Sequence, residues 1–83
     1  MKQTMHHITV FPNPVNEKLT IVCTKRSVIE VQNTEGQILK RIAAIDLYTT
    51  VDLSDLPGGI YIIKVITEDG ITVKKIIKTN CSI

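Results

Sequence analysis

Apolar and polar residues alternate along this chain in seven short stretches, which is the pattern of β-strands with one buried face. The clearest stretch is 60–67, in which Tyr61, Ile63 and Val65 share one face and Lys64 lies on the other. Because lysine is rarely buried, the face without the charge is predicted to face the core. The predicted strands span residues 8–11, 18–24, 27–33, 37–43, 49–53, 60–67 and 71–78.

The fourth stretch fits two secondary structures. Ile38, Ile42 and Ile45 also lie at helical spacing, so periodicity alone does not decide between a helix and a strand. A turn signal with Gly36, which can adopt a positive φ, precedes the stretch and favours a hairpin. Its apolar residues are mostly isoleucine, which favours a strand. We therefore predict an all-β fold, a seven-stranded antiparallel immunoglobulin-like β-sandwich.

The sequence has two cysteines, Cys23 and Cys81. Cys23 shares a strand face with Leu19 and Ile21 and is predicted to be buried like a small apolar residue. Cys81 lies in the polar end of the chain. Two thiols do not make a disulfide framework, and a bridge between them stays open because the sequence does not show the separation of their Cα atoms.

Composition supports a β-rich domain and disfavours some classes of binding partner. The 83 residues include 14 Ile, 8 Val and 10 Thr, whose branching at Cβ suits strands, and the length indicates one domain. A net charge of +2 with one Phe and two Tyr disfavours a nucleic-acid partner. No apolar run approaches the roughly 18 residues of a membrane span. No signal peptide is visible, so an exported form would carry its export signal on a longer precursor.

The sequence offers no recognisable catalytic constellation. Its only histidines, His6 and His7, are adjacent, so in a strand they would point to opposite faces. It has no nucleophile elbow, no glycine-rich phosphate loop and no Cys-X-X-Cys pair. We therefore predict a protein that is not an enzyme and binds no cofactor.

Two groups of side chains are candidates for a metal site. Asp46, Asp52 and Asp55 are close in sequence and, with Ser54, supply ligand types that calcium prefers. Because the full pattern of a calcium loop is missing, solvation of a loop and Asx turns are the favoured interpretation. The histidine pair lacks the three or four converging ligands that zinc requires. No metal site is predicted.

Basic residues are concentrated in the last predicted strand. Lys74, Lys75 and Lys78 lie in a stretch from Ile71 to the end that contains no acidic residue. One interpretation is an edge strand whose lysines discourage pairing with other sheets, and this interpretation is sufficient by itself. The other is a basic handle that a receptor recognises.

Four segments, in this order, resemble the C-terminal sorting domain of the Bacteroidetes type IX (Por) secretion system, type A. That family opens with an aromatic-Pro-Asn-Pro segment that leads into a strand, followed by a D/N-x-x-G-x hairpin, an L-x-x-G-x-Y element and a basic last strand. The resemblance covers residues 10–78. The matching segments are Phe11–Ile21, Val31–Leu39, Leu53–Val65 and Val73–Lys78.

The resemblance implies a non-catalytic sorting signal with an immunoglobulin-like sandwich. Such a domain directs a fused cargo across the outer membrane, so its partners are the secretion machinery and the upstream cargo of the same precursor. The implied route runs through the periplasm to the cell surface or the medium. On this basis the chain divides into an N-terminal extension or linker at 1–9, the sorting domain at 10–78 and a short tail at 79–83.

The resemblance and the charge pattern together imply roles for individual residues. Lys74, Lys75 and Lys78 are expected to form the receptor-recognition surface, where charge sets encounter rate and specificity. The prolines are expected to stiffen the entry into the second strand, and the glycines to permit a reversal after which Tyr61 packs its ring and satisfies its hydroxyl. The motif residues with structural roles are Pro12, Asn13, Pro14, Gly36, Gly58, Gly59 and Tyr61.

Two other functions stay open from the sequence. A β-sandwich with the same strands also serves as a stand-alone or spacer module of a surface protein, in adhesion or near glycans, because fold alone does not assign function. A small single-strand nucleic-acid binder of the OB type is the other, and the sparse aromatic residues and low net charge argue against it.

Overall fold

The computed structural model describes residues 8–79, and all of their regular secondary structure is β-strand. The seven predicted strands are present, with bounds within a few residues of the prediction. The fourth stretch is a strand, and it pairs along its length with the strand before it. The strands are β1 (Thr9–Phe11), β2 (Lys18–Val22), β3 (Ser27–Gln32), β4 (Ile38–Ala44), β5 (Tyr48–Asp52), β6 (Gly59–Thr67) and β7 (Gly70–Lys78).

The strands form two antiparallel sheets. One sheet has three strands in the order β1-β2-β5, and the other has four in the order β4-β3-β6-β7. Hairpins join β3 to β4 and β6 to β7 within the larger sheet. The connections β2–β3, β4–β5 and β5–β6 pass from one sheet to the other. The all-β prediction is therefore confirmed at the level of two antiparallel sheets.

A single apolar core draws on both sheets. Leu19 and Ile21 of the three-stranded sheet and Ile63 and Val65 of the four-stranded sheet are each at most 1% exposed, and they belong to one cluster of buried side chains. Tyr61 belongs to the same cluster, so the uncharged face of β6 is the core face, as alternation predicted. Complete burial of one such aliphatic side chain stabilises the fold by about 1.5–3 kcal/mol.

The hairpin between β3 and β4 depends on one asparagine and one glycine. The Asn33 side-chain oxygen accepts hydrogen bonds from the N–H of Glu35 at 2.9 Å and the N–H of Gln37 at 3.0 Å. Gly36 has φ +89°, the left-handed conformation that glycine adopts without steric cost, and this confirms the predicted positive φ. The side chain of Asn33 therefore organises the turn that the D/N-x-x-G-x pattern indicated.

Several predictions concern residues at the limits of the described range. Cys23 is buried, as predicted, at 3% exposure. Cys81, and with it the open question of a bridge to Cys23, lies outside the described residues, as do His6 and His7. Within residues 8–79, no helix has the length and apolarity that crossing a bilayer requires.

Candidate recognition surface around the last strand

The last strand, β7, forms one edge of the four-stranded sheet. A two-residue turn, Glu68-Asp69, joins it to β6, since Thr67 pairs with Gly70. The ammonium of Lys25 lies 3.3 Å from a carboxylate oxygen of Glu68 and 3.1 Å from one of Asp69. Hydrogen bonds to these carboxylates, that of Asp69 foremost, raise the pKa of Lys25. The turn is thereby tied to the loop between β2 and β3.

The Pro-Asn-Pro segment covers the C-terminal half of the outer edge of β7. Asn13 Nδ2 donates to the carbonyl oxygen of Lys75 at 3.3 Å, and the N–H of Ile77 donates to Asn13 Oδ1 at 3.0 Å. One side-chain amide thus supplies the donor and the acceptor that a neighbouring strand would supply. The peptide bonds before Pro12 and Pro14, on either side of this asparagine, are both cis.

Val15 continues the contact with the end of the strand. Its N–H donates to the carbonyl oxygen of Ile77 at 2.8 Å, and the N–H of Thr79 donates to the carbonyl oxygen of Val15 at 2.8 Å. Val15 bridges Lys78 in parallel orientation, and its side chain is fully buried. We call these contacts of Asn13 and Val15 with residues 75–79 the Asn13 clamp.

The three lysines expected to form one recognition surface do not share a surface. Lys74 and Lys75 are exposed, but they are successive residues of a strand and lie on opposite faces. Lys78 is only 7% exposed, and its ammonium donates to the carbonyl oxygen of Thr79 at 3.3 Å. The expectation that Lys78 is accessible is therefore wrong, because Val15 bridges the strand at this residue. Recognition through the other two lysines stays a prediction.

A different lysine stands beside Lys75. In the pairing of β6 with β7, Lys75 lies opposite Ile62 and Lys64 lies opposite Val73. Lys64 and Lys75 are therefore diagonal neighbours on the outer face of the sheet. Sequence analysis placed Lys64 away from the core but did not place it in the recognition surface. The two-residue turn at 68–69 sets the register of the hairpin, and this register places Lys64 beside Lys75. The turn was therefore the sequence signal for their proximity.

One carboxylate lies among these cations. The two oxygens of Glu30 accept hydrogen bonds from Arg41 Nη2 at 2.8 Å and from Gln32 Nε2 at 3.1 Å. The hydrogen bond from Arg41 is the main reason that the pKa of Glu30 lies below its ordinary value of 4.5, and the nearby charge of Lys64 acts in the same direction. At neutral pH Glu30 is ionised, and both of its oxygens are already engaged.

The rest of this outer face is apolar. Ile71 is 60% exposed and Val73 is 57% exposed. Ile60 lies opposite Ile77, and Ile66 lies opposite Ile71, so the apolar residues touch one another across the strands. The outward side chains Val28, Ile60, Ile62, Ile66, Ile71, Val73 and Ile77 together are called the isoleucine face.

The loop before β6 ends at the same end of the molecule as the Asn13 clamp. The hydroxyl of Tyr61 donates to the carbonyl oxygen of Pro57, four residues earlier, and the tyrosine is 5% exposed. Gly58 and Gly59 are exposed, and Gly59 pairs with Lys78. Three motif segments that are far apart in sequence therefore lie close together. They are the Pro-Asn-Pro segment, the Pro-Gly-Gly loop and the end of β7.

The aspartates considered as calcium ligands have other partners. Asp52 Oδ1 accepts the N–H of Ser54 at 2.9 Å, an Asx turn, and hydrogen bonds from Ser54 lower the pKa of Asp52. A carboxylate oxygen of Asp55 lies 3.1 Å from the ammonium of Lys40. Asp46 is exposed. Among the described residues, no group of three or more His, Cys, Asp or Glu side chains is placed to hold a metal ion.

Comparison with known proteins finds one family for this chain. The family model described as the secretion system C-terminal sorting domain matches residues 9–79. The matched range contains all seven strands and the Asn13 clamp. No curated protein matches the chain.

Proposed function

This chain belongs to the family of secretion system C-terminal sorting domains, and from that premise we propose how its surface acts. The domain is a C-terminal sorting signal for type IX secretion. The observation that carries this function is the family match over residues 9–79, which includes every strand of both sheets. The family membership implies interaction with the type IX machinery and attachment to an upstream cargo.

The sorting domain is an immunoglobulin-like β-sandwich in this proposal. The order β1-β2-β5 against β4-β3-β6-β7 supports it, because the chain crosses between the two sheets after β2, β4 and β5, as connections between the sheets do in that architecture. The Tyr61 hydrogen bond supports it independently. A tyrosine near the start of the sixth strand that bonds to the backbone a few residues upstream is a hallmark of such sandwiches, and Pro57 supplies that acceptor.

The sorting signal acts by binding and carries out no reaction. Its recognition element is β7, with Lys74 and Lys75 as the accessible charges and with Lys78 as a buried part of the fold. The exposure of the first two lysines and the absence of an ion pair to either within residues 8–79 support this assignment. Exposed charges of this kind set encounter rate and specificity, and salt weakens their effect.

The proposed arrangement along the chain follows from the sorting role. Residues 1–9 connect the domain to the cargo, residues 10–78 form the sorting signal, and residues 79–83 form a tail. The fused cargo passes through the periplasm and is carried across the outer membrane to the cell surface or the medium. The end of β7 at Lys78 supports the second boundary, and the hydrogen bond from the N–H of Thr79 to Val15 attaches the first residue of the tail to the domain.

The sorting function is tested by export of a reporter. The 83-residue chain is fused behind a signal peptide and a reporter enzyme, and the fusion is expressed in a bacterium that has a type IX system. We expect the reporter at the cell surface or in the medium. The same fusion in a strain without a working type IX system is the control, and its reporter should stay in the periplasm. Periplasmic retention in both strains would contradict the function.

The role of the two accessible lysines has a matched control in the same fusion. Replacing both Lys74→Gln and Lys75→Gln should leave thermal unfolding unchanged and reduce export by about ten-fold, the effect of losing roughly 1.4 kcal/mol of binding. The control pair Lys18→Gln and Arg26→Gln removes the same charge from other exposed positions. An equal reduction by the two pairs would show that net charge, and not β7, matters, and normal export by both would contradict the role of the two lysines.

A further inference from the structure

The isoleucine face is an exposed apolar surface that the fold itself does not require. Exposed apolar residues scattered singly are ordinary on soluble proteins. Here Ile60, Ile71, Val73 and Ile77 are between 45% and 60% exposed and lie on two paired strands. Contiguous exposed apolar patches are rare on monomers and mark surfaces that bind another molecule.

The charges on this face indicate what can cover it. Among residues 8–79, this face has three cations, Arg41, Lys64 and Lys75, and one acid, Glu30, an excess of two positive charges. The oxygens of Glu30 accept from Arg41 and Gln32. Neither Lys64 nor Lys75 has an ion pair within residues 8–79. A molecule that buries this face must therefore bring carboxylates to the two lysines, because an unpaired buried charge is costly.

A second copy of the chain does not meet this requirement. In a two-fold symmetric contact the same patch lies on both sides, so each copy would bring the same excess of cations. In the part of the chain that the structure describes, Glu30, already bonded within its own sheet, is the one acid that each copy offers on this face. Face-to-face pairing would thus bury four lysine ammonium groups without partners.

A lipid surface also fits less well than a protein. Attraction to an anionic membrane is worth about 1 kcal/mol per basic residue near the surface, and stable binding uses clusters of four to eight. This face has three cations, one of which, Arg41, is bonded to Glu30. Its apolar residues are short and β-branched on the outer face of a sheet, which suits packing against another protein surface.

We propose that the isoleucine face is a docking surface for a protein of the secretion machinery that is apolar at the centre of its contact and presents carboxylates to Lys64 and Lys75. This proposal rests on the sorting function and adds to it the location and chemistry of the contact. Lys75 is common to the two proposals, since it is one of the two accessible lysines of β7 and also lies on the isoleucine face. Lys64 and the isoleucines are residues that no part of the family motif singles out.

The test uses export of the reporter fusion with two independent variants. Ile71→Thr with Val73→Thr keeps branching at Cβ and removes the exposed apolar surface. Lys64→Glu with Lys75→Glu keeps the apolar surface and reverses its charge. We expect each pair to lower export by about ten-fold or more, as the loss of a central contact does. Tyr48→Thr, at a residue 63% exposed on the other sheet, is the control and should export normally.

The outcomes separate this proposal from the sorting function. Normal export of the unchanged fusion and of both variants, all with unaltered unfolding temperatures, would overturn the docking surface and leave the sorting function standing. No export of the unchanged fusion would overturn both. Two measurements on the purified chain test the other occupants. A dimer by sedimentation that Ile71→Thr with Val73→Thr dissociates would replace the partner by a second copy, and co-sedimentation with phosphatidylglycerol vesicles that the same pair abolishes would replace it by a membrane.

Discussion

The outer faces of the two sheets differ far more than their inner faces. Inward, both sheets present Leu, Ile and Val side chains to one core. Outward, the three-stranded sheet presents Thr9, Thr20, Thr50 and the opposed pair Lys18 and Asp52, together with Phe11, Val22 and Tyr48. The four-stranded sheet presents the isoleucine face at the equivalent position.

This difference distinguishes outward side chains that the fold requires from outward side chains that it does not require. Thr, Ile and Val all branch at Cβ and all suit a strand, so threonine satisfies the backbone on a solvent-facing side. The three-stranded sheet uses that solution at three outward positions, beside Phe11, Val22 and Tyr48. The four-stranded sheet uses isoleucine and valine at positions where threonine would serve, and the strand preference does not account for that choice. A contact with another molecule does.

The largest expected effect concerns the inner faces, where the two sheets should behave alike. Ile21→Ala and Ile63→Ala each leave a cavity in the shared core, and each should lower the free energy of unfolding by about 2–5 kcal/mol. Urea denaturation measures both. Ile71→Ala, on the outer face and 60% exposed, should cost under about 1 kcal/mol. A small loss for only one of the two core variants would mean that the sheets do not share their core equally.

A smaller effect is expected at the edge, where only the four-stranded sheet is capped by the Asn13 clamp. Asn13→Ala removes two hydrogen bonds to β7 and should cost about 1–2 kcal/mol. Hydrogen exchange at the Ile77 amide should become faster. Asn16→Ala, at an exposed asparagine just beyond the clamp, is the matched control. If both variants unfold at the same urea concentration as the unchanged chain, the clamp is not stabilising.

The smallest effect depends on pH. It concerns the ion pair between Glu30 and Arg41 on the outer face of the four-stranded sheet. Because folding lowers the pKa of Glu30, its contribution to stability is present above the unfolded-state value near 4.5 and is lost as pH falls through the folded value. Arg41→Gln removes the main cause of the shift. We expect this variant to melt below the unchanged chain at pH 7, with the gap narrowing as the pH falls below the unfolded-state value near 4.5.

Arg26→Gln is the control for the pH experiment, since Arg26 is exposed and has no carboxylate partner within the described residues. Its melting curve should stay parallel to that of the unchanged chain at every pH. Asp52, whose pKa is also lowered, preserves part of the acid dependence in both variants. A gap between Arg41→Gln and the unchanged chain that stays constant from pH 7 to pH 3 would contradict the role of Glu30.

Features set by local alternation were predictable from the sequence. A period of two decides which side of β6 is buried, and Tyr61, Ile63 and Val65 lie where the pattern placed them. The ambiguous fourth stretch was resolved by the turn before it, since Gly36 takes the positive φ that the hairpin needs. Such features depend on neighbours within a few residues, and the sequence contains those neighbours.

Features set by distant contacts were not predictable. Lys78 was expected at the surface because lysine is rarely buried, yet Val15, far away in the sequence, bridges the strand at that residue. Lys74 and Lys75 are adjacent in sequence and lie on opposite sides of the sheet, whereas Lys64 and Lys75 come together through pairing. The role of Asn13 as a cap depends on partners 62 and 64 positions away.

The Asn13 clamp has a mechanical consequence. A pull on the chain ahead of β1 acts first on the three residue pairs between β1 and β2 and then on the clamp. The Thr79 hydroxyl also donates to the Val15 carbonyl oxygen at 3.2 Å, which gives the clamp five hydrogen bonds. Val15 runs parallel to the end of β7, so tension between the two termini loads the clamp in shear, with these five bonds stretched together rather than one after another. Resistance to force is governed by the rate of unfolding. A cargo that pulls on this domain therefore loads the same hydrogen bonds that hold β7 in place.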